Sequence, residues 1–342
     1  MNEISVEIIG ITVLWIFLYG YLMVASIDFG AGFYSFYAKV TDKKHSIRVV
    51  IDRYLSPVWE VTNVFLVFFF VGLIGFFPDT AYYYGTALLV PGSIALVLLA
   101  IRGSFYAFAN YGVRENSIYL FLYGVSGLFI PASLSIVLTI SEGGFIVEEG
   151  GHVHLLFSEL FSSTYSWIVV LLSIVSVLFI SASFLTYYAQ RAEDNDAFQL
   201  MRKATLIWSG PTILLSFLVF LTLRTHNLEH FLAMVGEFHF FALSLIFFIG
   251  AVWLIYKQRY LGTAFIFVAL QYGFAFFGYG YTHLPYILYP KLTIYESITG
   301  DEMGISLIIA FISGLILLIP SLFMLFRLFI FNADYTKAQG NK

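Results

Sequence analysis

Two carboxylates in this chain stand inside stretches that are otherwise apolar, and each is a candidate proton carrier. Asp28 opens the run Asp28-Phe29-Gly30-Ala31-Gly32, and Glu60 closes Leu55-Ser56-Pro57-Val58-Trp59-Glu60. A charge at the centre of a bilayer costs roughly 2.5–3.5 kcal/mol on insertion scales, so such a group normally faces protein, a partner or water. Burial favours the protonated form of a carboxyl, which lets it hold a proton near neutral pH. Asp28 precedes Lys39 by eleven positions, roughly 16 Å along a helix. Glu60 follows Arg53 by seven, roughly 10 Å. A structural reading stays open beside this one: either acid could be a hydrogen-bonded link to Arg102 or to another helix. For Arg102 itself, at the end of an apolar run, snorkelling to an interface is the default expectation and an ion pair the second. Glu237 is a third acid near a span and is expected at a helix end.

Metal and haem chemistry finds weaker support in the residue pattern. Without cysteine, thiolate sites, disulfides and iron–sulfur clusters are excluded. His45, His152 and His154 fall in loops, and His226 and His230, spaced i,i+4, are expected in an exposed polar turn. His239 and His283 lie within or close to apolar runs, but neither has a visible histidine partner of the kind that axial haem ligation requires. No metal ligand set is assigned. The glycines after Asp28 are no phosphate loop, since no strand precedes them; they would instead let another helix or a ligand approach the backbone closely.

These residues must be carried by membrane helices. With 60% hydrophobic and 11% charged residues in 342 and a mean hydropathy of +0.88, the chain cannot cover itself with a charged shell. Spans of about 20 apolar residues fall near 8–37, 56–77, 80–108, 117–140, 164–189, 200–223, 231–256, 260–286 and 303–331. The expected fold is all-α with nine transmembrane helices, forming one transmembrane domain over 1–342. An outer loop at about 141–163 separates helices 1–4 (about 8–140) from helices 5–9 (about 164–331), giving two four-helix units plus a peripheral helix. Tyrosine groups such as Tyr82–Tyr84 are expected as an interfacial belt. The first residues, MNEISVEII, have no basic region or cleavage site of a signal peptide, so the first helix is expected to be retained.

Basic residues are held back on the cytoplasmic side of short loops. With the N-terminus outside, fifteen of the seventeen fall inside, and only Arg224 and Lys291 fall outside. The outer segments then carry Asp79, Glu142, Glu148, Glu149, Glu159, Glu296, Asp301 and Glu302. The expected orientation is N-out and C-in. No basic patch suggests nucleic acid.

An ordered set of motifs resembles subunit II of the cytochrome bd-type quinol oxidases. Asp28-Phe29-Gly30-Ala31-Gly32 is similar to that family's D-x-G-x-G. Pro57-Val58-Trp59-Glu60, with Asn63, is similar to its P-x-W-[DE] segment. Arg102 with Phe105 and Phe108 resembles the end of its third helix, and Leu284-Pro285-Tyr286, Tyr289-Pro290 and Leu292-Thr293-Ile294 resemble its proline-containing exit. The match in order and spacing runs from about residue 5 to 330. Glu60 stands where many relatives have Asp, and the acid often found after the third-helix arginine is missing. The resemblance implies a bacterial cytoplasmic-membrane complex that oxidises quinol and reduces dioxygen to water with cytoplasmic protons. It further implies a haem-bearing subunit I as partner, no haem or other cofactor on this chain, and a share in stability and proton supply. By their placement Asp28 and Glu60 are the expected proton-transfer residues, with Arg102 the candidate ion-pair partner. A small accessory membrane subunit and lipid are compatible partners. The rival class is a secondary transporter with intramembrane carboxylates, whose site would be expected near the midplane in matching positions of two halves.

Overall fold

A computed structural model describes residues 5–41, 62–108 and 117–329. Glu60, the Pro57–Trp59 segment, the basic residues Lys43, Lys44, Arg48, Arg53 and Arg114, and the C-terminal Lys337 and Lys342 lie outside the described residues. The described residues are all-α apart from two small hairpins. Helix α1 is Val6–Val40, α2 is Thr62–Phe76, α3 is Asp79–Ala87, α4 is Leu89–Phe108 and α5 is Ser117–Ser141. Strands β1 (Ile146–Glu149) and β2 (His152–Leu155) follow, then the short α6 (Phe157–Ser162), α7 (Thr164–Arg191) and α8 (Asn195–His226). The remainder is α9 (Leu228–Gly236), α10 (Phe238–Lys257), α11 (Leu261–His283), β3 (Tyr286–Leu288), β4 (Leu292–Thr293) and α12 (Asp301–Phe329). Among the described residues seven helices are long and apolar enough to cross a membrane, or eight if α3 and α4 form one span, and α2 is a shorter apolar helix.

Two of the expected helices are broken. The run at 80–108 bends by 75° between α3 and α4. Pro91 explains the place: it has no N–H to reach back to Ala87, but it fits the first turn of a new helix, where that donor has no partner anyway. The run at 231–256 is interrupted at Glu237, between α9 and α10, which places this acid at a helix end as its sequence position suggests. The expected outer loop contains the β1–β2 hairpin, paired from Ile146↔Leu155 to Glu149↔His152.

Helix α1 is the axis of the packing. It lies against α5, α7, α11 and α12, while α7 pairs with α8 and α10 with α11. One apolar core joins α1, α5, α7, α8, α10 and α11 around Phe179, Leu185 and Tyr188. A second joins α1, α2, α5, the β1–β2 hairpin and β3 around Phe17, Phe76 and Phe77. Small residues on α1 set the close approaches. A Cβ on Gly30 would lie 2.9 Å from the Val177 carbonyl of α7, and one on Gly32 would lie 2.9 Å from the Tyr123 carbonyl of α5. The tyrosines at 82–84 are not all lipid-facing filler. Tyr84 is buried and its hydroxyl donates to the Ile287 carbonyl at 2.8 Å, while Tyr82 donates to the Gly151 carbonyl at 2.8 Å.

Candidate functional site

Asp28 and Arg102 meet in the interior. The Arg102 Nε donates to Asp28 Oδ2 at 2.9 Å, with the two side chains 1% or less exposed. Its Nη2 donates to the Asp28 carbonyl at 2.5 Å and its Nη1 to the Tyr123 carbonyl at 2.9 Å. The Tyr123 hydroxyl donates to Asp28 Oδ1 at 3.3 Å. The guanidinium carbon lies 4.0 Å from the centre of the Tyr123 ring and 5.1 Å from that of Phe29. Arg102 therefore does not snorkel. A guanidinium presents its donors in a planar fork, and here the fork is filled by one carboxylate and two carbonyls from neighbouring helices. The glycines after Asp28 make this possible: a Cβ on Gly32 would stand 3.0 Å from Arg102 Nη1. An unpaired charge here would cost several kcal/mol, whereas a paired and hydrogen-bonded one is tolerated.

A second polar cluster forms where α5 ends. Glu142, next to Ser141, is 1% exposed rather than part of a solvated acidic loop. Gly143 and Gly144 follow it at φ +83° and +80°, a left-handed geometry that glycine adopts without penalty, so the chain turns sharply there. Asn227 caps α9 by accepting from the His230 N–H at 3.1 Å, and its Nδ2 donates to Glu142 Oε2 at 2.9 Å. One side chain thus positions both the helix and the acid. His230 Nδ1 lies 2.9 Å and His283 Nδ1 3.5 Å from Glu142 Oε1, and the Tyr279 hydroxyl donates to that same oxygen. His230 Nε2 is 3.0 Å from Thr282 Oγ1, and the His230 and His283 rings are 5.0 Å apart. Burial pushes the Glu142 carboxyl up, but the His230 hydrogen bond, the two imidazoles and the Tyr279 hydroxyl outweigh it and hold the group below the usual carboxylate range.

Those contacts correct two expectations. His230 is buried, not part of an exposed turn: the chain leaves α8 and restarts as α9 at Asn227, and the His230 ring lies against Glu142 and Thr282. His226 is half-buried, with its ring stacked between Phe145 and Tyr165. His283 has a histidine neighbour after all, although 53 positions separate it from His230. His239 does lie apart, exposed and 3.4 Å from Glu237.

The family model for cytochrome bd terminal oxidase subunit II matches residues 6–329. The chain belongs to the cytochrome bd oxidase subunit II family. A curated relative, the putative cytochrome bd menaquinol oxidase subunit II of Bacillus subtilis (strain 168), is 34% identical over 98% of this chain and 99% of its own length. A chain in the solved structure of the bd oxidase from Geobacillus thermodenitrificans is 59% identical, with a TM-score of 0.84 over 96% of this chain and 99% of that one. This bd oxidase subunit II is accordingly a multi-pass component of an oxidoreductase of respiratory electron transport, and a subunit II implies a subunit I. Family membership speaks against the transporter reading.

Proposed function

We propose that this chain is the haem-free subunit II of a quinol:dioxygen oxidoreductase of the bacterial cytoplasmic membrane. In this reading it stabilises a haem-bearing subunit I and contributes a cytoplasmic proton route for the reduction of dioxygen to water. Glu60 is the carboxylate of the route nearer the cytoplasm and Asp28 the deeper one, with Arg102 holding Asp28 in place. The observation that carries the reading is the Asp28–Arg102 pair, two ionisable groups kept fully buried in an apolar bundle. Ionisable residues at such depth are costly and usually serve ion or proton movement. Quinol is the reductant of the complex in this reading, in line with the Bacillus subtilis relative, whose name specifies menaquinol. The test is oxygen consumption per haem by the assembled complex carrying Glu60→Gln.

The haem-free part is supported by the histidine geometry. Among the described residues His230 and His283 approach a common carboxylate with ring centres 5.0 Å apart, side by side rather than on opposite faces of a macrocycle. Replacing His239 and His283 together by Ala is expected to leave the haem content of the assembled complex unchanged. Loss of one haem from a complex that still assembles would contradict it.

Nine spans result if α2 is one crossing and if α3–α4 and α9–α10 each count as one. The distribution of basic residues supports N-out and C-in. A reporter active only outside the cytoplasm, inserted at the Gly150–Gly151 turn of the β1–β2 hairpin, is expected to be active, and one fused after residue 335 inactive. The reverse pattern would invert the orientation and remove cytoplasmic uptake through Glu60.

A further inference from the structure

We propose that Glu142, His230 and His283 form a binding site for a divalent transition-metal cation of the zinc class where α5, α9 and α11 meet. The inference is independent of the proton route, and its failure leaves the Glu60 test untouched. One ligand atom from each residue lies within 4.8 Å of the others. The two measured edges, Glu142 Oε1 to His230 Nδ1 at 2.9 Å and to His283 Nδ1 at 3.5 Å, bracket the ligand–ligand edge of about 3.3–3.4 Å that a tetrahedron with bonds of about 2.0–2.1 Å requires. Two imidazoles and a carboxylate are a borderline nitrogen and oxygen set that suits zinc and leaves a fourth position open.

Three further features point the same way. The ion-pair contacts of Glu142 among the described residues are with imidazoles, not with Lys or Arg. A buried carboxylate so placed gains most from a cation. His230 already has the outer support that ligating histidines show, its Nε2 lying against the Thr282 hydroxyl at 3.0 Å. The His283 side chain is only 10% exposed, and its Nε2 has no protein hydrogen-bond partner. A metal at Nδ1 puts the ring proton on Nε2, whose acceptor would then be a water. Both histidines line a cavity of about 80 Å³, with Asn227, Glu229 and Thr282. That space holds several waters, enough for a fourth ligand and its hydrogen bonds.

The purified complex, incubated with Zn²⁺ alone and desalted into metal-free buffer, tests this by elemental analysis of zinc beside haem. The expected result is one zinc per complex beyond that retained by His283→Ala, at least about tenfold weaker binding in that variant, and X-ray absorption showing nitrogen and oxygen ligands at about 2.0–2.1 Å. His230→Ala and Glu142→Gln are expected to lose the same zinc. If either fails to assemble, His283→Ala and His283→Gln carry the test, since His283 takes no part in capping α9. Equal zinc in the wild type and His283→Ala, or no zinc retained by the wild type, overturns the site and leaves the cluster a hydrogen-bonded network alone.

Discussion

Replacing Arg102 by Leu is expected to abolish recovery of the assembled oxidase. The substitution leaves the Asp28 carboxylate, 1% exposed, without the Nε donor at 2.9 Å, and frees the Asp28 and Tyr123 carbonyls that the same guanidinium serves. Removing one partner of a buried ion pair costs ~3–5 kcal/mol, a large fraction of the ~5–15 kcal/mol net stability typical of a folded protein. Arg102→Lys is expected to be intermediate, because a single ammonium cannot span three acceptors held by a planar fork. The measurement is the quantity of haem-bearing complex that co-purifies with a tagged copy of this chain. Wild-type yield from Arg102→Leu would show that the pair contributes nothing to assembly.

Glu60→Gln is expected to act in the opposite way, sparing assembly and slowing turnover. Gln keeps the size and most of the hydrogen bonding of Glu but cannot exchange a proton. A positioned proton-transfer group contributes ~10²–10⁴-fold to a rate, so oxygen consumption per haem is expected to fall about 100-fold. Haem content, read from the reduced spectrum, stays at the wild-type level. Poor assembly with haem loss would instead mark Glu60 as a packing group.

The difference between the two polar clusters explains what could be read from the chain. Long apolar runs announce α1, α5, α7, α8 and α11 directly, since lipid selects for continuous hydrophobicity. The breaks at Leu88 and Glu237 interrupt hydrophobic runs without changing their composition, and Pro91 was the one local signal for the first. Asp28 and Arg102 stand out because ionisable groups are rare in such runs, although only the packing decides between snorkelling and pairing. Glu142 gave no such signal. It sits beside loop acids that are solvated, and its burial depends on Asn227, Tyr279 and His283, residues 85 and more positions away. The i,i+4 spacing of Tyr279 and His283, facing one carboxylate, was the only pattern that could have hinted at it.

The most direct test of the central claim is the double variant Asp28→Leu with Arg102→Met, in which both charges leave the interior and apolar side chains take their place. Such replacement of a buried ion pair is often neutral for stability, so assembly and haem content should return toward wild type, unlike in Arg102→Leu alone. If Asp28 carries protons, oxygen consumption per haem in this assembled complex remains far below wild type. An assembled double variant with normal haem content and normal turnover would contradict the account and reduce Asp28 and Arg102 to a helix-packing pair.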